Sequence, residues 1–140
     1  MLARWWIAAS TVVVMAWLAG CATAPPRDPT DWIIGTWEGN QTVPFGAAAV
    51  RIVFDKRDAQ VHWRREFLSG PFTGANSATA SGVATVSADQ VELNGTYDPK
   101  QRFTGAVSMS LKRSEGDSLK GTATGRDGLP NAITLQKKRG

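Results

Sequence analysis

The segment Gln60-Val61-His62-Trp63-Arg64-Arg65-Glu66-Phe67-Leu68 alternates between two kinds of side chain with a period of two. This period is typical of a β-strand that buries one face and leaves the other in solvent. One face carries Val61, Trp63, Arg65 and Phe67, and the other carries His62, Arg64, Glu66 and Leu68. We therefore predict a strand whose apolar face contains a single charged side chain, that of Arg65.

Similar segments lie on both sides of this strand, and short stretches rich in Gly, Pro, Asn and Asp separate them. The predicted strands are 35–43, 48–55, 60–68, 77–86, 90–97, 103–113, 118–126 and 132–138. Sequential strands with short links favour an antiparallel meander, and closing the sheet removes its exposed edges. We therefore predict a mainly β fold, an antiparallel eight-stranded up-and-down barrel. A β-sandwich is the alternative.

The first 20 residues have the three parts of a secretory signal. Arg4 supplies a positive charge, an apolar run extends from Trp5 to Leu18, and the small residues Ala19 and Gly20 follow it. A helix that crosses a membrane needs about 20 apolar residues, and this run is shorter. We therefore predict a cleaved signal-peptide helix over residues 1–20, ahead of the barrel.

Leu18-Ala19-Gly20-Cys21 resembles the lipobox of bacterial lipoproteins. The resemblance implies cleavage before Cys21 and a diacylglyceryl thioether on its sulfur, so the lipid bilayer becomes a partner of the chain. Two or three acyl chains anchor a protein durably, since each buried methylene contributes about 0.8 kcal/mol. Ala22 stands where Asp would favour retention in the inner membrane. In a Gram-negative bacterium, the resemblance therefore implies the periplasmic face of the outer membrane.

The predicted domains are the signal peptide 1–20, a linker 21–31 that contains Pro25, Pro26 and Pro29, and the barrel 32–138. Removing the signal removes one basic residue, so the formal net charge falls from +4 to +3. The basic residues are scattered and form no stripe with interleaved aromatics, which argues against nucleic-acid binding. Cys21 is the only cysteine, so core burial and backbone pairing must hold the domain together without a disulfide.

Gly35-Thr36-Trp37-Glu38-Gly39 resembles the Gly-x-Trp opening of lipocalin-like and other calycin barrels, and of many small bacterial lipoproteins. In the lipocalin family the tryptophan packs across the closed end of the barrel, near a basic residue of the last strand. The resemblance implies this place for Trp37, with Lys137 or Arg139 as the basic partner.

No constellation of catalytic residues is evident, so we do not expect an enzyme. His62 is the only histidine, and alternation places it on a polar face without a nucleophile elbow elsewhere in the chain. Glu38, Glu66 and Glu92 are expected to point outward, where two carboxylates cannot face each other across a cleft. One histidine and no free thiol give no basis for a metal site, and no cofactor is predicted.

The inward Arg65 is the candidate centre of a binding site, because a buried guanidinium must be paired or bind an anion. Alternatively, it lies at the barrel mouth, the strand register breaks there, or it pairs with Glu66 or Glu92. The predicted ligand-binding residues are Trp63, Arg65, Tyr97, Phe103 and Met109. They suggest a small amphipathic or apolar ligand. The alternative is a structural or protein-interaction lipoprotein whose barrel is solid.

Overall fold

A computed structural model describes residues 28–44, 46–125 and 127–139. The predicted signal peptide, the lipidated Cys21 and most of the linker lie outside these residues. Eight strands follow one another along the chain: β1 (Gly35–Val43), β2 (Gly46–Arg57), β3 (Gln60–Phe67), β4 (Ala80–Val86), β5 (Gln90–Tyr97), β6 (Ala106–Ser114), β7 (Ser118–Thr124) and β8 (Pro130–Lys137). Short 3₁₀ turns at Asp31–Ile33 and Gly74–Asn76 complete the described structure.

The strands form a closed antiparallel barrel in sequence order, which confirms the predicted up-and-down architecture. Each strand pairs with the next, and β8 returns to β1 with a register that runs from Trp37 opposite Lys137 to Gln41 opposite Ile133. Closure gives each of the eight described strands a paired neighbour on both sides. No helix among the described residues is long and apolar enough to cross a membrane.

Several strand boundaries differ from the prediction for local reasons. Strand β2 is longer at both ends. Its C-terminal end reaches Arg57 because Asp58 and Ala59 alone make the turn to β3, both with positive φ, as a type I′ hairpin turn requires. Strand β4 begins three residues later than predicted, because Ser77 closes the second 3₁₀ turn through its backbone N–H to Gly74. Phe103 precedes β6 rather than lying in it.

The barrel interior is built from the inward face of each strand. In β2 this face is Ala48, Val50, Ile52 and Phe54, in β6 it is Val107, Met109 and Leu111, and in β8 it is Ile133 and Leu135. All these side chains are buried, as the alternation predicts. Gly39 lies in the inward row of β1, where a Cβ atom would lie 1.8 Å from the carbonyl oxygen of Thr134. Only glycine therefore allows β1 and β8 to approach this closely.

Trp37 fills one end of the barrel, as the lipocalin resemblance implies. Its side chain is fully buried, and its Nε1–H donates to the carbonyl of Ile33 at 2.9 Å. Trp32 packs edge-on against it, with ring centroids 6.4 Å apart. Lys137 is the basic partner, with Nζ 5.8 Å from the Trp37 ring centroid and 2.9 Å from the carbonyl of Trp32. The alternative partner, Arg139, instead lies on the surface near Asp117.

Candidate ligand-binding site

The two ends of the barrel differ, and the end opposite Trp37 is open. A cavity of about 340 Å³ occupies this mouth. Its polar lining comes from Arg65, Gln41, Asp127 and Asn131. Its aromatic side is made by Phe67, Phe72, Tyr97 and Phe103. A cavity of this size and lining is within the range of small-ligand sites.

Alternation along β3 carries Arg65 into the barrel near the mouth. It lies opposite Ile52 of β2 and Ala80 of β4. Ala78 and Ala80 are both buried, and their short side chains leave room in the interior for the long arginine side chain. Arg65 therefore points into the barrel. The strand register does not break at this residue, so the alternative of a register break is wrong.

Arg65 is a buried residue, 2% exposed, and its guanidinium makes only two long hydrogen bonds. Its Nη1 donates to Oε1 of Gln41 at 3.2 Å, and its Nη2 donates to the carbonyl of Ala78 at 3.4 Å. Both distances are longer than the usual ~2.9 Å of such bonds. Its Nε has no hydrogen-bond partner among the described residues. The group therefore has donor capacity that the fold leaves unused.

No carboxylate of the described residues lies within 4.0 Å of this guanidinium, so the proposed pairing with Glu66 or Glu92 is absent. Glu66 accepts instead from Arg51 on the outer surface, and Glu92 accepts from Ser110. Burial lowers the pKa of Arg65, and the phenol oxygen of Tyr97 opposes this in part. The positive charge is thus buried without a compensating negative charge.

Asp127 is the acidic residue that lines the cavity. Its side chain is exposed, and its Oδ1 accepts a hydrogen bond from the backbone N–H of Leu129 at 3.0 Å. That bond keeps one carboxylate oxygen occupied within its own turn. Among the described residues, the mouth therefore has a buried positive charge at Arg65 without an ion-pair partner and a negative charge at the exposed Asp127.

Four aromatic rings form a continuous wall on one side of the mouth. The centroids of Phe67 and Phe72 are 5.2 Å apart, those of Phe72 and Phe103 are 5.5 Å apart, and those of Phe103 and Tyr97 are 6.2 Å apart. The Arg65 guanidinium lies 4.8 Å from the Phe67 centroid, which is cation–π distance. One end of the wall, at Phe67, therefore lies beside the buried charge.

Two loops bring Phe72 and Phe103 to this wall. Phe72 follows Gly70, whose φ of +87° favours glycine, and Phe103 precedes Gly105. The loops are joined where Gln101 Oε1 accepts from the backbone N–H of Thr79 at 2.7 Å. The loop at residues 69–74 contributes Phe72 to the cavity.

The structure brings three of the five predicted site residues together, namely Arg65, Tyr97 and Phe103. Trp63 and Met109 share the inward face but do not line the cavity. Trp63 is buried deeper, with Nε1 donating to the carbonyls of Val83 and Asn94 at 3.2 and 3.3 Å, and Met109 is 1% exposed in the core. Alternation sets the face of a residue but not its depth along the barrel.

Gln41 and Phe72 are site residues that sequence reasoning missed. Gln41 follows Trp37 and Gly39 at period two on β1, and it is 6% exposed. A polar residue in that inward row was a signal of the same kind as Arg65. Phe72 lies in a loop, where no periodicity exists to place a side chain.

The outward candidates lie away from the cavity. Glu38 and Glu66 flank Arg51 on the outer surface, at 2.9 and 3.1 Å. The hydrogen bond from Arg51 lowers the pKa of Glu38. His62 is half-buried on the outer face, opposite Asp55. No three histidine, aspartate or glutamate side chains of residues 28–44, 46–125 and 127–139 cluster as metal ligands.

A second, open cavity of about 540 Å³ lies at the Trp37 end, between Asp28, Trp32 and Lys137. Its charged groups are already engaged. Asp28 pairs with Lys56, and Lys137 donates to the Trp32 carbonyl. The mouth cavity is therefore the stronger candidate, because its charge has no such partner among the described residues.

Comparison with known proteins supports the barrel fold and identifies neither a family nor a function. No protein-family model and no curated protein matches the chain. A solved structure described as a redesigned β-barrel is similar, with a TM-score of 0.63 and 20% sequence identity. The match covers 79% of this chain and 96% of the other. At this identity the similarity concerns the barrel alone.

Proposed function

We propose that this chain is a membrane-anchored envelope lipoprotein whose barrel binds a small amphipathic anion in its mouth. The observation that carries the binding proposal is the guanidinium of Arg65. Arg65 is 2% exposed and lines a cavity of about 340 Å³, and no carboxylate of the described residues lies within 4.0 Å of its guanidinium.

A buried charge without an ionic partner destabilises a fold. Removing one member of a buried ion pair costs about 3–5 kcal/mol of stability. Arg65 sits in such a position while Gln41 and Ala78 provide only long, neutral hydrogen bonds. A ligand carboxylate beside the guanidinium would supply the missing negative charge. Charge-assisted bonds of this kind contribute about 1.5–3 kcal/mol each.

The volume of the cavity limits the ligand. At about 30 Å³ per molecule of liquid water, 340 Å³ equals about 11 waters, so a ligand of roughly that many non-hydrogen atoms fits. A long-chain fatty acid would extend well beyond the mouth. The proposed ligand is therefore a short amphiphile with an anionic head near Arg65 and an apolar body against the aromatic wall.

A structural or protein-interaction lipoprotein is the second candidate function. The observation that favours it is that the barrel is filled between the Trp37 end and the mouth, where Trp37, Trp63 and Met109 are all buried. The cavity is therefore confined to the mouth. The two candidates differ in one measurable property, because a purely structural barrel has no reason to prefer an anion over its neutral analogue.

Octanoate and octanamide test this difference, because they match in length and differ in charge. We expect the purified protein to bind octanoate with a dissociation constant on the order of 0.1–1 mM, a usual strength for a ligand of this size. Octanamide should bind at least about tenfold more weakly. Isothermal titration calorimetry in bilayer nanodiscs measures both, with empty nanodiscs subtracted.

Arg65→Met should abolish the preference for octanoate. Arg64→Met is the matched control, since it removes the same charge from the next residue, whose side chain is exposed on the outer face. Equal binding of octanoate and octanamide to the wild-type protein would refute the ligand proposal and favour the structural function.

The anchor is proposed from the sequence. The Leu18-Ala19-Gly20-Cys21 motif supports acylation of Cys21, and Ala22 supports placement in the outer membrane, facing the periplasm, in a Gram-negative cell. Asp28, where the described structure begins, follows Cys21 by only seven positions. At about 3.3–3.6 Å per extended residue, that stretch keeps the barrel within roughly 25 Å of the bilayer surface.

A further inference from the structure

We infer that the preferred ligand is a compact aromatic carboxylate rather than an alkyl one. This inference rests on the proposed function and adds the chemical class of the ligand body. The arrangement that carries it is the aromatic wall of Phe67, Phe72, Phe103 and Tyr97, which starts at the Arg65 guanidinium.

The wall offers rings in several orientations. Phe72 and Phe103 meet nearly edge to face, with an interplanar angle of 78°, while Tyr97 and Phe103 are tilted by 42°. Phe72, Phe103 and Tyr97 are each half-buried, so parts of these rings remain open to a ligand. A ligand ring can thus meet a ring edge or a ring face, and both arrangements are favourable.

The position of the charge sets the orientation of the ligand. The guanidinium is buried and lies 4.8 Å from the Phe67 centroid, whereas Phe72 and Phe103 come from the loops above the strands. A carboxylate at Arg65 therefore places the ligand body against Phe72 and Phe103, toward solvent. A single-ring acid matches this distribution, with its head inside and its ring at the mouth.

The size of the cavity adds a second reason. About 340 Å³ in an open mouth accommodates a ring joined to a short acid chain. An alkyl chain of the same atom count must give up many rotatable bonds to fit the same volume, at a cost of side-chain-like conformational entropy. An aromatic ring has no internal rotatable bonds, so its binding does not carry this entropy cost.

Hydrocinnamate and nonanoate are suitable probes, because both carry a carboxylate and the same number of carbon atoms. We expect calorimetry on the purified protein to show hydrocinnamate binding about 3- to 10-fold more tightly, the range that aromatic pairing supplies. Phe103→Leu should bring this ratio close to one while the carboxylate preference persists. Phe72→Leu is a second variant in case the first is poorly folded.

Leu68→Ala is the matched control, since it shortens an exposed apolar side chain that follows Phe67 and does not line the cavity. It should leave the ratio unchanged. Nonanoate binding as tightly as hydrocinnamate, or a ratio that survives both phenylalanine substitutions, would overturn the inference and leave the proposed function standing. Binding of neither acid would refute both.

Discussion

Replacing Arg65 with methionine should make the barrel more stable, although it deletes the most buried charge of the described structure. In the wild type Arg65 is 2% exposed, and its guanidinium makes two long hydrogen bonds, to Gln41 and to the Ala78 carbonyl. Together these contribute about 1–2 kcal/mol. Desolvation of the ion costs several kcal/mol, and no carboxylate of the described residues offsets it. A methionine side chain fills the volume of the aliphatic part of the arginine side chain and carries no charge.

The Ala78 carbonyl and Oε1 of Gln41 both lose their side-chain donor in this variant, which costs about 1 kcal/mol each. The balance is a gain of about 1 kcal/mol in the free energy of unfolding. With a denaturant slope of about 1–3 kcal/mol/M, the urea midpoint of the purified protein should rise by roughly 0.5 M.

Arg64→Met is the control for this measurement. Its side chain is exposed, so the free energy of unfolding should change by less than about 0.5 kcal/mol. A fall in the midpoint of Arg65→Met that corresponds to 1 kcal/mol or more would show that Arg65 serves the fold. The argument that the charge is kept for a ligand would then fail.

Three further substitutions test the closed end, the sheet closure and the anchor. Trp37→Ala should lower the free energy of unfolding by about 3–5 kcal/mol, as for other buried aromatics, and an unchanged urea midpoint would contradict its role at the barrel end. Gly39→Ala should destabilise by about 3 kcal/mol or more, because its Cβ meets the Thr134 carbonyl at 1.8 Å; the exposed neighbour Asn40→Ala should have little effect. Cys21→Ser should leave uncleaved precursor that metabolic palmitate does not label, and a labelled mutant would disprove the lipidation proposal.

The face of each strand was predictable from sequence because the side-chain period of a strand is two. Arg65 and Tyr97 both point inward as alternation requires. Trp37 was placed by resemblance to a family motif, and its burial and contact with Lys137 agree with that placement. Strand alternation was therefore sufficient to predict which side of the sheet these residues occupy.

Depth along the barrel was not predictable, because it depends on the strand tilt and stagger that closure imposes. Trp63 and Met109 therefore lie in the solid core although they share a face with Arg65. Phe103 reaches the mouth from a loop rather than from the predicted strand, and Phe72 does the same. Contacts between loops distant in sequence leave no periodic signal.

The Nε–H resonance of Arg65 gives the most direct test of the mouth as an anion site. This group has no hydrogen-bond partner among the described residues, and its signal is identified by its loss in Arg65→Met. We predict that a nitrogen–proton correlation spectrum shows this resonance shifting as octanoate is added and remaining in place with octanamide. A resonance that stays fixed while octanoate saturates the protein would contradict binding at Arg65.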